Sequence, residues 1–227
     1  MHNVKFMGYG ARICELPGTC KYSSMLLKDW CGNWVFRKPT LVIGGGAGKE
    51  TMNSIINLKP DTPTTRSTSV RSFGFSSIHR IVSRGGVYIG ICNGAYIAGK
   101  EVRYDDYEGT RVSHYGLGLL CATTLGPVYP RAPGSNITIT DSFGQPHSVW
   151  YQKGGTFPQN IHSKKLDYKV HAIYHDESFP AIVSFRYGKG TVILSGVHPE
   201  HTTTGSIQTY RLFNHIFKSR GLIVNNK

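Results

Sequence analysis

Apolar runs alternate with amphipathic stretches along this chain, which is typical of an open β-sheet with helices on its faces. Two short runs, residues 40–43 and 87–91, are largely apolar and indicate central parallel strands buried on both sides. Apolar residues at helical spacing predict helices over residues 22–30, 49–58, 75–83 and 206–220. The first half is therefore predicted to belong to the α/β class.

The second half is richer in strands. Its apolar runs, together with one at the start of the chain, predict strands over residues 4–7, 117–124, 136–140, 148–152, 168–174, 181–187 and 191–195. Gly-Lys-Gly at residues 188–190 predicts a hairpin between the last two. We expect a flavodoxin-like, open, mostly parallel sheet with helices on both faces and an added strand-rich region. Residues 59–72, rich in Pro, Thr, Ser and Arg, indicate a surface loop, so residues 1–227 are predicted to form a single domain.

The strongest chemical signal is Gly-Ile-Cys-Asn-Gly-Ala at residues 90–95, directly after a predicted strand. Gly-x-Cys-x-Gly between a strand and a helix is the cysteine version of a nucleophile elbow. The nucleophile of such a turn has a strained backbone, and side chains in place of the glycines would collide with the strand and the helix. The positive end of the following helix favours a thiolate. The alternative is a structural cysteine in a glycine-rich bend.

A second signal, Ser-Gly-Val-His-Pro-Glu at residues 195–200, follows the last predicted strand. A cysteine nucleophile needs a base, and the base needs an acceptor that fixes its orientation. His198 can be that base, and Glu200 can accept from the other ring nitrogen. A surface turn with the same three residues is the alternative.

A third signal is Gly-Gly-Gly-Ala-Gly at residues 44–48, after the strand predicted over residues 40–43. Acyl transfer through a thioester requires hydrogen-bond donors for the developing oxyanion. The backbone N–H groups of Gly45 or Gly46 can supply one donor, and that of Asn93 the other. The rival interpretation, a phosphate-binding loop, requires spacings that this segment lacks.

Composition changes this picture only slightly. Lys and Arg number 26 against 13 Asp and Glu, so the net charge is +13, which raises the prospect of an anionic partner. The basic residues are scattered, so we expect nucleic-acid binding to be absent. The five cysteines lack the spacing of a metal site, and His198 and His201 lack a third ligand, so we expect no metal and no cofactor. A cytoplasmic location with free thiols is the default, although a disulfide between Cys20 and either Cys14 or Cys31 stays open.

The three segments, in this order, resemble the class I glutamine amidotransferase superfamily. Residues 85–96 are more closely similar to the amidotransferase-like domain at the N-terminus of eukaryotic-type biotin protein ligases, a family with stand-alone bacterial members of unknown activity. Trp-Tyr-Gln-Lys-Gly-Gly-Thr-Phe at residues 150–157 resembles that family's aromatic-x-x-Gly-Gly-x-Phe segment, and residues 195–200 resemble its histidine segment. The resemblance extends roughly from Thr40 to Phe217.

The resemblance implies a triad of Cys92 as nucleophile, His198 as base and Glu200 as orienting group. It further implies an oxyanion hole formed by Gly45, Gly46 and Asn93, and a substrate pocket lined by Gly154, Gly155 and Phe157. Asn93 departs from the family, which often has Ala there; the backbone donor survives this change.

Three hypotheses follow for function, the third of which is a basic adaptor for an anionic partner in which the elbow is vestigial. The first is a cysteine hydrolase or amidotransferase-like enzyme that acts on a small-molecule or peptide amide, with a partner protein possible. The second is a binding or regulatory module that keeps the pocket but has lost turnover. No Gly-Arg-Gly-Arg-like adenylate loop occurs in the sequence, so we expect no biotin ligation. We also expect no membrane association, since no apolar run approaches the ~20 residues of a membrane span.

Overall fold

A computed structural model describes residues 5–7, 11–13, 35–46, 51, 75–105, 109, 111–132, 134–158, 160–161, 164–165, 167–201 and 206–224. The helix predicted over residues 22–30 lies outside these ranges. The helix predicted over residues 49–58 also lies outside them apart from Thr51, which is helical.

The described residues contain three helices and sixteen strands. The helices are α1 (Phe75–Ser83), α2 (Asn93–Ile97) and α3 (Ser206–Ser219). The strands are β1 (Lys5–Met7), β2 (Ala11–Ile13), β3 (Val35–Phe36), β4 (Thr40–Ile43), β5 (Val87–Ile91), β6 (Gly99–Asp105), β7 (Arg111–Tyr115), β8 (Leu120–Gly126), β9 (Ser135–Asp141), β10 (Pro146–Tyr151), β11 (Asn160–Ile161), β12 (Lys164–Lys165), β13 (Lys169–Tyr174), β14 (Pro180–Tyr187), β15 (Gly190–Ser195) and β16 (Ile223–Val224).

Nine of these strands form one mixed sheet, in the order β1-β2-β4-β5-β15-β14-β13-β9-β10. The pairings β2–β4, β4–β5 and β5–β15 are parallel, and the other five are antiparallel. The expectation of a mostly parallel sheet was therefore wrong. Short connections join β9 to β10, β13 to β14 and β14 to β15, and a short connection can only make its two strands antiparallel neighbours.

The central strands are buried because both faces of the sheet are covered. Successive side chains of β4, β5 and β15 enter two different cores, as the alternation of side chains along a strand requires. One core packs against α3 and includes Val42, Ile89, Ile193, Phe213 and Phe217. The other packs against α1 and includes Leu41, Ile78, Tyr88, Val192 and Leu194. Helices thus lie on both faces, as the sequence predicts.

A smaller sheet, in the order β7-β6-β8, was not fully predicted. The strand expected over residues 117–124 begins only at Leu120, and β6 and β7 were missed. Leu117 and Leu119 are buried as loop residues before the strand begins. In β6 the polar residues Glu101, Arg103 and Asp105 alternate with inward residues, so the strand has little apolar signal.

None of the helices in the described ranges is both long and apolar enough to pass through a bilayer.

The position of β5 at the centre of the main sheet generates a stability prediction. Ile89→Ala should lower the free energy of unfolding by about 2–5 kcal/mol, because the wholly buried side chain leaves a cavity between packed layers. Ile137→Ala in the outer strand β9 is the matched control, since Ile137 is only partly buried. Its loss, measured by urea unfolding, should be less than about half of that for Ile89→Ala. Equal losses would contradict this account of the core.

Candidate active site

The turn at Cys92 has the geometry predicted for a nucleophile elbow. Strand β5 ends at Ile91, helix α2 begins at Asn93, and Cys92 between them has φ 50° and ψ −105°. A positive φ is uncommon for a residue with a side chain and persists only where its surroundings enforce it. The Cys92 N–H donates to the Ser195 carbonyl at 2.8 Å, and the Cys92 carbonyl accepts from the N–H of Tyr96 at 2.9 Å. These bonds connect the strained residue to β15 and α2.

The two glycines of the elbow are required by close packing. A Cβ atom on Gly90 would lie 2.5 Å from the Gly94 carbonyl oxygen, and one on Gly94 would overlap the carbonyl oxygen of Ile43. The Gly94 N–H also donates to the Gly44 carbonyl at 3.1 Å. The predicted collision of flanking side chains is therefore confirmed, and the elbow lies directly against the glycine loop.

The parallel pairing of β5 with β15 brings the histidine segment to the same end of the sheet. Ser195 is the register partner of Ile91, so the residues after both strands emerge side by side. The His198 N–H donates to the Trp150 carbonyl at 2.8 Å, which holds this segment against the end of β10. Cys92 and His198 therefore meet at the carboxyl edge of the parallel strands, where α/β folds place their sites.

The His198 ring is oriented by a buried carboxylate. Its Nδ1 donates to Oε1 of Glu200 at 2.8 Å, and Glu200 is 1% exposed. This bond fixes which ring nitrogen is turned to Glu200 and leaves Nε2 for the opposite side. Among the described residues, Nε2 has no hydrogen-bond partner.

The charge of His198 reflects three competing influences. Burial lowers its pKa, but Glu200 and Cys92 both favour the protonated ring and outweigh burial, so the pKa lies well above its ordinary value. The arrangement can therefore hold a proton on His198 beside the sulfur.

The resting sulfur has a second neighbour that the sequence did not predict. Cys92 Sγ donates to the carbonyl oxygen of Gln152 at 3.6 Å. Gln152 follows β10 and precedes the Gly154-Gly155 pair, so this loop passes directly over the elbow. In the described conformation the thiol proton is thus directed at a main-chain carbonyl.

The predicted oxyanion donors lie on two adjoining segments. Asn93 is the first residue of α2, and its side-chain Nδ2 donates to Oγ1 of Thr51 at 2.9 Å. Gly45 is buried and Gly46 is exposed in the loop after β4. The contact between Gly44 and Gly94 brings this loop beside Asn93. Their function as an oxyanion hole stays a prediction.

Two of the three predicted pocket residues, Gly154 and Gly155, pack closely against segments next to the elbow. A Cβ atom on Gly154 would overlap the Gly196 carbonyl oxygen, and one on Gly155 would lie 2.6 Å from Cε1 of Tyr96. Phe157 is 1% exposed and belongs to the core on the α1 face. Gly154 and Gly155 lie beside the elbow and the histidine segment, whereas Phe157 lies in a different core from Cys92. Contact of these residues with a substrate stays a prediction.

Comparison with known proteins identifies the family. Residues 31–218, most of the chain, match the family described as biotin-protein ligase, N terminal. The chain belongs to this family. The matched range includes both the elbow and the histidine segment.

Individual relatives cover the chain only in part. It is 30% identical over 147 residues to a biotin–protein ligase of Schizosaccharomyces pombe, an alignment that covers 58% of this chain and 23% of the relative. It is 29% identical over 144 residues to an uncharacterized protein of Chlamydia muridarum, which covers 58% of this chain and 54% of that one. The chain thus spans about half, or less, of the length of these relatives.

A solved structure supports the fold assignment. The crystal structure of a glutamine amidotransferase superposes with a TM-score of 0.62 at 17% identity, covering 94% of this chain and 100% of that one. At this identity the likeness shows a shared fold and nothing further. The fold is glutamine amidotransferase-like.

Sequence reasoning missed several residues of this family member that surround the site. Trp150 stacks on His201 with ring centroids 4.5 Å apart and an interplanar angle of 12°. This stack reinforces the contact between β10 and the histidine segment. The aromatic pair Trp150-Tyr151 before the two glycines was a signal, but nothing in the sequence indicates which histidine it meets.

The carboxylate–histidine pair generates a prediction about titration. Glu200→Gln should lower the pKa of His198, because the amide keeps the shape of the side chain but loses the charge that favours the imidazolium. NMR titration of the histidine ring resonances measures this shift. The wild-type ring should remain protonated to a higher pH than the variant ring.

Asp141→Asn is the matched control, since Asp141 accepts from Nε2 of His147 at 2.8 Å in a separate pair. It should leave the His198 titration unchanged. A His198 pKa that is the same in wild type and Glu200→Gln would show that Glu200 has no electrostatic effect on the ring.

Proposed function

We propose that this protein is a cysteine-dependent amide hydrolase or amidotransferase-like enzyme with Cys92, His198 and Glu200 as its triad. The proposal rests on two features found together. Cys92 has a strained backbone at φ 50°, and Nδ1 of the buried His198 donates to the buried carboxylate of Glu200. Strain and buried polar groups are costly to folding, and they concentrate where chemistry requires them.

The chemistry follows from this arrangement. Sγ of Cys92, as a thiolate, attacks the carbonyl carbon of the amide, and the electron pair of the C=O bond moves to oxygen. The N–H of Asn93 and the glycine loop stabilise that oxygen. Collapse of the tetrahedral species breaks the C–N bond, and His198 gives its proton to the leaving amine. Water then attacks the thioester while His198 accepts a proton from it, and cleavage of the C–S bond releases the acid product and restores the thiolate.

The names of relatives are not sufficient to choose the substrate. The relative named biotin–protein ligase is aligned with this chain over only 23% of its own length. The solved structure described as a glutamine amidotransferase is only 17% identical to this chain. Glutamine amidotransfer also requires a synthetase that receives the ammonia. Hydrolysis of a small or peptide amide needs only the groups at this site and is therefore the reaction we propose. A partner protein and a cytoplasmic location remain predictions.

A catalytically silent binding module is the second candidate. The observation in its favour is that the thiol of Cys92 donates to the Gln152 carbonyl at 3.6 Å. Nε2 of His198, in contrast, has no hydrogen-bond partner among the described residues. In that case the pocket recognises a ligand while the thiol keeps its proton.

Reaction with p-nitrophenyl acetate separates the two candidates. An enzyme should release p-nitrophenolate in a rapid acylation burst and then in a slower steady state, since deacylation regenerates the thiol. Cys92→Ser should abolish the burst, and His198→Asn should slow acylation by about a hundredfold or more.

Cys121→Ser is the matched control, because Cys121 is the exposed free cysteine among the described residues. It should leave the burst unchanged. If the wild-type protein shows no burst, or if Cys92→Ser retains it, the proposal of an enzyme is contradicted.

A further inference from the structure

A group of cationic side chains lies on the face of the main sheet that α3 covers. Ile182 of β14 packs into the core beneath α3, and side chains alternate along a strand, so Ser184 and Arg186 lie on the same face. Lys169 of β13 is the register partner of Ser184 and lies beside it. Arg220, the residue directly after α3, donates from Nη2 to Oγ of Ser184 at 2.7 Å. We call Lys169, Arg186 and Arg220 the cationic cluster.

The cationic cluster is separate from the candidate active site. Arg186 is the register partner of Thr191, which in turn pairs with Val87, the first residue of β5. Cys92 follows the last residue of that strand. Arg186 therefore marks the opposite end of the sheet from the elbow, and the cluster does not belong to the surroundings of Cys92.

Two buried side chains hold Arg220 in place. The Ser184 hydroxyl accepts from Arg220, because a guanidinium can only donate. The same hydroxyl lies 2.6 Å from Nε2 of His171, which is buried as well. Burial, with a smaller contribution from nearby cations, lowers the pKa of His171 to about 3, so the ring is neutral and can accept the Ser184 proton. Both groups that hold Arg220 are therefore uncharged and leave its positive charge uncompensated.

No carboxylate of the described residues forms an ion pair with the cationic cluster. Asp167, the carboxylate nearest to Lys169 in sequence, is exposed and is no exception. Arg220 uses Nη2 alone, which also approaches the Ser184 carbonyl at 3.5 Å, and its Nε and Nη1 have no acceptor in the described ranges. Burial and the charge of Arg186 lower the pKa of the Arg220 side chain, as expected where cations lie together without an anion. The cluster thus combines uncompensated positive charge with unused N–H donors.

We propose that the cationic cluster of Lys169, Arg186 and Arg220 binds a phosphate group. A guanidinium offers a planar pair of N–H groups that matches two phosphate oxygens, and Lys169 contributes a further positive charge. A carboxylate carries one negative charge, whereas a phosphate group near neutral pH carries almost two and so suits a group of three cations. Free phosphate and a phosphate monoester present the same chemistry. This inference does not rest on the proposed function, since no residue of the triad takes part.

Isothermal titration calorimetry on the full chain tests the proposal with three probes, which are inorganic phosphate, phenyl phosphate and acetate. At about pH 8 and constant ionic strength, one equivalent of inorganic phosphate should bind with a Kd of about 1 mM or tighter. Acetate should bind at least about tenfold more weakly, because it carries a single charge. Tighter binding of phenyl phosphate than of phosphate would support a monoester as the ligand, and equal or weaker binding would support the free ion.

Variants that remove one charge locate the site. Arg186→Gln and Lys169→Gln should each raise the Kd for phosphate about tenfold, the loss expected from one charge-assisted interaction. Both side chains are exposed, so the fold should be kept. Arg220→Gln should raise the Kd at least as much. Arg103→Gln is the matched control and should leave the Kd unchanged, since Arg103 is an exposed arginine of β6 that is already paired with Glu101.

Three results would overturn the proposal. The first is that the folded wild-type protein shows no saturable binding of phosphate. The second is that Arg103→Gln weakens binding as much as Arg186→Gln, which would indicate general attraction to a chain of net charge +13. The third is that acetate binds as tightly as phosphate, which would contradict a site for a dianion. Thermal unfolding verifies that each variant is folded, and should Arg220→Gln not fold, the variants of Lys169 and Arg186 decide.

Discussion

The parallel pairing of β5 with β15 is the constraint on which the candidate site depends. It joins two strands that lie far apart in sequence and aligns Ile91 with Ser195, so that both chains leave the sheet at one edge. The bond from the Cys92 N–H to the Ser195 carbonyl extends this pairing into the turn itself. Because both strands are buried on both faces, neither can shift without exposing its core residues. The relative position of Cys92 and His198 is thus set by the centre of the fold.

Around this edge, main-chain contacts replace the side-chain packing that is usual in a core. The glycines at positions 90, 94, 154 and 155 allow four segments to approach within backbone distance of one another. Backbone groups are fixed in position, so they serve well as donors and acceptors for a reaction. Two buried side chains complete the arrangement, since Glu200 orients His198 and Tyr96 holds the loop over Cys92.

Much of this arrangement was predictable from the sequence, and the exceptions have physical reasons. Helix α1, strand β5 and the elbow lie where the apolar pattern and the glycines indicate, because local sequence determines them. The sheet was expected to be mostly parallel, but local hairpins make its second half antiparallel. The Gln152 carbonyl and the hydroxyl of Tyr174, which donates to the Gly155 carbonyl, were missed, since their contacts join residues from different elements and leave no periodic trace. The motifs at residues 90–95 and 195–200 already indicated the triad residues, a resemblance to a family agreed with them, and the structure added their geometry.

In the proposed triad, Glu200 acts on Cys92 only through His198. A double-mutant cycle on the rate of acylation by p-nitrophenyl acetate tests it most directly, with His198→Asn, Glu200→Gln and the combination of both. Glu200→Gln should slow acylation in the wild-type background and should have no further effect once His198 is replaced. Independent, multiplicative losses in the double variant would contradict it, because Glu200 would then contribute without the imidazole.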